Sequence, residues 1–105
     1  YDFWTEGNTL GEAIRKIVPL QIKLSRSADH EYYASLHEKI DFAEAEGTSH
    51  VKAGWVYFFK DWNALSINFK DMDIAPYRVF VVGKVSEDMI PLLGTAERTI
   101  EIWLK

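Results

Sequence analysis

SRSADHEYYASLHEKIDFAEAEG, residues 25–47, decides how the first half of the chain is read. Tyr33, Leu36, Ile40 and Ala43 recur at 3-4-3 spacing, the interval that gathers side chains on one face of a helix. Gly47 is a natural C-terminal cap residue. The spacing predicts a helix that opens within residues 25–27 and ends near Gly47. Its charges are mostly acidic up to that end, where Glu44 and Glu46 oppose the helix dipole, so the acidity serves something other than the helix.

Working outward, Thr9-Leu10-Gly11-Glu12 has the form of a capping box, and Leu10, Ala13, Ile14 and Ile17 follow at helical spacing. A first helix is expected at about 9–18, stopped or kinked by Pro19. Leu20, Ile22 and Leu24 alternate with Gln21, Lys23 and Ser25, which fits a strand or a kinked continuation of the helix. Residues 1–7 hold Phe3 and Trp4, and Trp4 is expected to pack under the sheet. After Gly47 the residues at 50–60, 64–70, 76–85 and 97–104 are rich in aromatic and branched side chains, the composition of strands. Asp61-Trp62-Asn63 and Asp71-Met72-Asp73 suit hairpin turns, and 86–90 suits one helical turn before Pro91. The expected fold is α+β in a single domain, 1–105: two N-terminal helices packed on a roughly four-stranded antiparallel meander with room to curl strongly. The element order is similar to the broad nuclear-transport-factor-2-like or cystatin-like architecture, with no matching motif.

The faces of the strands carry further information. Leu65, Ile67 and Phe69 oppose Ser66, Asn68 and Lys70, and Ile100, Ile102 and Leu104 oppose Thr99, Glu101 and Trp103, so these two strands read as half-buried. Residues 50–60 and 76–85 are apolar on both faces. Their second face needs a cover, from the N-terminal segment, from curling into a cone, or from another subunit; a homodimer through that face is expected.

Twelve basic residues against 16 acidic ones give a net charge of −4, and the excess acid is concentrated in 28–47, where Lys39 is the single base. No broad basic field exists, so nucleic-acid binding is not expected. The longest apolar run, Trp55-Val56-Tyr57-Phe58-Phe59, is far short of the roughly 20 residues that span a bilayer, and no membrane association is expected. The chain has no Cys, which removes disulfides, zinc-thiolate sites and a thiol nucleophile. The first residue is Tyr1 and not Met, as a removed leader or a trimmed tag would leave it; cytoplasm is the default expectation.

No P-loop, G-x-G-x-x-G or G-x-S-x-G motif is present, and neither a catalytic residue nor a cofactor is expected. An acidic helix face carrying Glu31, Glu38, Phe42 and Glu46, together with Trp62 at a hairpin tip, has the composition of a surface that binds a basic protein. The first reading is therefore a non-catalytic interaction protein of inhibitor or immunity type. The alternative is a small-molecule binder, or a small lyase or isomerase, with Trp55, Tyr57, Phe59, Tyr77 and Trp103 lining a cavity on a curled sheet. His30, His37, Asp41 and Glu44 fall in one helical arc and form a weak metal-site candidate; a solvated charged face explains the same spacing.

Overall fold

The computed structural model describes residues 1–5, 9–17, 21–27, 31–40, 47–93, 95 and 98–104. In chain order they form β1 (Asp2–Thr5), α1 (Thr9–Ile17), β2 (Gln21–Ser27), β3 (Glu31–Ser35), β4 (His50–Val51), β5 (Trp55–Phe59), β6 (Ala64–Asn68), β7 (Met72–Asp73), β8 (Phe80–Val85), a 3-10 helix (Glu87–Leu92) and β9 (Thr99–Leu104). Seven of these strands close into a barrel in the order β1-β8-β5-β6-β3-β2-β9, while β4 and β7 pair as a separate ribbon. The expected α+β fold, with two helices on a four-stranded meander, is therefore corrected to a mostly-β closed barrel with one described α-helix.

The correction turns on residues 25–47. Tyr32 is fully buried and Tyr33 is 43% exposed, the two-residue alternation of a strand. β3 lies between β2 and β6, with Tyr32 opposite Arg26 on one side and Ile67 on the other. Closing the wall supplies partners for the backbone groups on both sides of this segment, and that outweighs a 3-4-3 stripe that an isolated helix would use. Leu36 and Ile40 still reach the core, from the irregular stretch after β3. The expected acidic helix is absent from the described part of this segment. Its candidate residues His30, Asp41, Phe42, Glu44 and Glu46 lie outside the described residues.

Inside the barrel, Phe3, Leu24, Tyr32, Val56, Phe58, Leu65, Ile67 and Ile102 are at most 1% exposed and form one packed core. Leu10 and Ile14 of α1 join it, as the 9–18 periodicity anticipates. Ile22 and Leu24 of β2, and Ile100, Ile102 and Leu104 of β9, point inward as read from their alternation. These side chains form the described interior, and the two clefts described below lie on the outer wall.

Nothing in residues 1–7 marks β1 as a strand on sequence alone. It pairs antiparallel with β8 and parallel with β9, so it forms the seam of the barrel. Phe3 faces the core but Trp4 is 47% exposed, against the expectation that it packs under the sheet. β8 contains a bulge: Val56 pairs with Gly83 and Tyr57 with Val81, which leaves Val82 as the extra residue. The bulge shifts the alternation, so Val79 and Val81 face outward while Val82 and Val85 face the core. At Gly83 the β1 backbone passes so close that a Cβ would lie 2.0 Å from the Trp4 carbonyl oxygen.

Candidate functional site

The outer faces of β5 and β8 answer the question of what covers a two-sided apolar strand. Val51, Tyr57 and Val79 form a second, smaller core, with Trp55, Phe59, Ile74 and Val81 packed against it. The β4–β7 ribbon is the cover, so along β5 and β8 the second face is closed from within the chain. Thr48 and Val79 exchange backbone hydrogen bonds of 2.9 Å, the Ile74 N–H donates to the Ser49 carbonyl at 2.8 Å, and the Ser49 hydroxyl donates to the Tyr77 carbonyl at 2.6 Å. The Lys52 N–H donates to the Tyr57 hydroxyl at 2.9 Å. Burial pushes the ionisation of Tyr57 above its ordinary range; the Lys52 hydrogen bond opposes that shift and the Asp71 carboxylate adds to it.

The ribbon leaves the Phe59 end of β5 open. There the β5–β6 hairpin turns with Asn63 at φ 47°, and the Asn63 N–H donates to the Lys60 carbonyl at 3.2 Å. Asn tolerates this left-handed conformation better than most residues. Its side-chain amide also donates to the carbonyls of Leu36 at 3.1 Å and Glu38 at 2.8 Å, which ties the segment after β3 to the hairpin. Held in this way, the turn projects Trp62 beside Phe59 and Tyr77. Ring centroids are 4.8 Å apart for Phe59–Trp62, 5.4 Å for Trp62–Tyr77 and 6.4 Å for Phe59–Tyr77, in tilted and edge-on arrangements typical of favourable aromatic contacts.

Two adjoining clefts flank this cluster. One, of about 420 Å³, is floored by Ala64 and Ser66 of β6, with Glu31, Tyr33 and Ser35 of β3 on one side and Phe59 and Trp62 on the other. The second, of about 300 Å³, runs beneath the ribbon, where Asn68 meets Val51, Met72, Asp73, Ile74 and Tyr77. Glu31, Phe59 and Trp62 line both. Among the described lining residues the charged side chains are Glu31 and Asp73, both acidic. Ser66 and Asn68, read from alternation as a solvent face, are 2% and 1% exposed. The reason is register: Ser66 sits between Tyr33 and Tyr57, and Asn68 sits opposite Glu31.

The residues named from sequence divide clearly. Glu31 and Trp62, expected to bind a partner, converge with Phe59 and Tyr77, expected to line a pocket. Glu38 is exposed in the loop after β3 and lines neither cleft. Tyr57 is buried under the ribbon, Trp55 lies outward with the Lys84 ammonium 5.4 Å from its ring, and Trp103 is exposed on β9. His37 is an exposed loop residue, and among the described residues no group of three His, Asp or Glu side chains is placed to hold a metal. Sequence reading missed Tyr33, Ser35, Ser66, Asn68, Met72 and Ile74 as lining residues. The available signal was the polar face of 64–70, directly after a strand apolar on both sides. Chemically, adjoining aromatic rings and carboxylates attract a group that is both cationic and apolar, as a lysine or arginine side chain is.

A family model described as the Cyclophilin-like family matches residues 2–105. Comparison with curated proteins and with solved structures gives no match. No described helix is long and apolar enough to cross a membrane.

Proposed function

The chain belongs to the cyclophilin-like family, and from that premise we propose that it is a non-catalytic binding module whose outer-wall cleft takes an extended, lysine- or arginine-bearing segment of a protein partner. The observation that supports this reading is the meeting of Glu31 with Phe59 and Trp62 at the junction of the two clefts. Trp62 is 58% exposed and Tyr77 48%, so two large rings stand at the rim where a partner side chain can reach them. Exposed aromatic anchors beside acidic groups supply binding energy from the rings and orientation from the charge. Masking a basic surface, as an inhibitor does, is the form of interaction this chemistry suits. A cytoplasmic setting belongs to the reading, since a chain without cysteine needs no oxidising compartment.

Calorimetric titration with acetyl-Leu-Lys-Leu-amide, against acetyl-Leu-Glu-Leu-amide as control, tests the reading. The lysine peptide binds and the glutamate peptide does not. Trp62→Ala lowers affinity by about thirtyfold or more, the effect of removing an anchor ring. Glu31→Gln lowers it by about three- to tenfold, and the loss shrinks at high salt. Equal binding of both peptides, or indifference to Trp62→Ala, refutes it. The larger cleft, at about 420 Å³, also falls within the size of small-molecule sites. A small apolar cation that binds with the same dependence on Trp62 while both peptides fail would favour that second reading.

A further inference from the structure

Asn68 is 1% exposed, and neither its side-chain oxygen nor its side-chain nitrogen has a hydrogen-bond partner among the described residues. A buried carboxamide with donor and acceptor both unpaired is unusual, because each group has given up water without replacement. Its backbone belongs to the wall: the Asn68 carbonyl accepts from the Gly54 N–H at 2.7 Å, and the residue pairs in register with Glu31. The side chain therefore does not brace the strand. Strand alternation turns it away from Leu65 and Ile67, which are in the core, and toward the cleft beneath the ribbon that it helps to line. Glu31 and Asp73 line the same cleft, and Tyr77 and Trp62 stand at its edge.

We propose that the Asn68 carboxamide reads the main chain of the bound peptide, accepting from the N–H and donating to the C=O of one ligand residue. This rests on the peptide-binding reading above and specifies how that site recognises an extended backbone. In an extended strand the N–H and C=O of a single residue point to the same side, as they do in the doubly bonded pairs of an antiparallel ladder. A carboxamide offers the complementary acceptor and donor in one plane. Asn68 thus stands where a neighbouring strand would supply its own backbone pair. The closed barrel has no free edge on which a peptide could add as a strand, so a side chain takes that role on the wall. Met72, 41% exposed on β7, is the flexible side chain above this floor that yields to admit the ligand. The arrangement selects for a chain with a free amide N–H at one position while Glu31 selects for a cationic side chain nearby.

The test uses acetyl-Leu-Lys-Leu-amide and three versions of it, each methylated at one backbone nitrogen. With the native protein, methylation at one position lowers affinity by about ten- to a hundredfold, the loss from leaving a buried polar group unpaired. With Asn68→Leu, methylation at that position changes affinity by less than about threefold, and the urea midpoint of the variant rises because an unpaired amide has gone. In the native protein, independent of any variant, the side-chain amide proton signals of Asn68 shift on adding the tripeptide and stay in place on adding the methylated one. If the tripeptide binds through Trp62 but methylation acts equally on native protein and Asn68→Leu, or the Asn68 signals do not move, this proposal fails and the binding reading stands. If the tripeptide does not bind at all, both fail.

Discussion

Gly83→Ala should unseat β1 and open the barrel at its seam. The added Cβ would lie 2.0 Å from the Trp4 oxygen, 2.8 Å from the Trp4 carbonyl carbon and 2.9 Å from the Thr5 Cα, whereas ordinary contact begins near 3.4 Å. Because the obstacle is backbone, β1 must retreat by more than about 1 Å, which stretches a bond of about 2.9 Å beyond hydrogen-bonding range. The pairs at risk are Trp4 with Lys84 and Thr5 with Gly83. Two lost backbone bonds cost about 2 kcal/mol. Partial withdrawal of Phe3, now fully buried, adds about 1–3 kcal/mol. The expected loss is about 3–5 kcal/mol, a large share of the roughly 5–15 kcal/mol that holds an ordinary domain together. In a urea titration with a slope near 2 kcal/mol/M the midpoint falls by about 2 M. Phe3→Ala alone costs about 3–5 kcal/mol, and adding it to Gly83→Ala costs much less, because the ring has already been withdrawn. A loss below about 1 kcal/mol for Gly83→Ala, or simple additivity of the pair, would refute the placement of β1 on β8.

Three other outcomes follow from the geometry. Asn63→Ala loses its bonds to the Leu36 and Glu38 carbonyls and strains the turn at φ 47°, for about 3 kcal/mol in urea denaturation, while Asn63→Gly loses the bonds alone and falls between Ala and Asn; a glycine variant less stable than the alanine one contradicts this. The folded Tyr57 ionises above the ordinary value of 10.0, so below pH 10 both states keep the proton and above it the unfolded chain loses it first. Stability therefore falls as pH rises past 10, and the advantage of native protein over Tyr57→Phe, measured by urea midpoints from pH 8 upward, narrows there; a constant gap rules out the shift. Light scattering behind a sizing column should give the monomer mass of 12.1 kDa, since the ribbon covers the second face of β5 and β8, and a dimer mass contradicts this.

The sequence was most legible where one element decides its own burial. The Leu10 and Ile14 spacing of α1 and the Ile100-Ile102-Leu104 alternation of β9 each report a single buried face, and both faces are buried as read. It was least legible where burial depends on partners distant in the chain. Residues 31–35 contain both a strand alternation, Tyr32 in and Tyr33 out, and part of a helical stripe through Leu36 and Ile40. Only the presence of β2 and β6 on either side selects the first. The two-sided apolarity of β5 and β8 was a true signal of a covered second face, but the cover is a two-residue strand pair: His50-Val51, which reads as the start of the strand 50–60, and Met72-Asp73, which reads as a turn. At the site, Glu31 and Trp62 stand out in the sequence as an acid and an aromatic each in unexpected company. Asn68 carries no such signal, since a polar residue alternating with Leu65 and Ile67 is what a solvent face looks like, and its burial comes from its place opposite Glu31 and beneath the ribbon.

The seam also bears on how the chain is made. The Tyr1 nitrogen donates to the Glu101 carbonyl across 100 positions, and β9 separates β1 from β2 in the wall. On a ribosome, every other strand of the barrel emerges before β9, so β1 and β2 wait with rows of unpaired N–H and C=O groups. Exposed edges of this kind recruit strands from other copies, and contacts so distant in sequence form slowly. Lys23 and Arg26, both exposed on β2, put positive charge along one of those waiting edges. In the finished wall the wait ends when β9 arrives and sets Glu101 opposite Lys23.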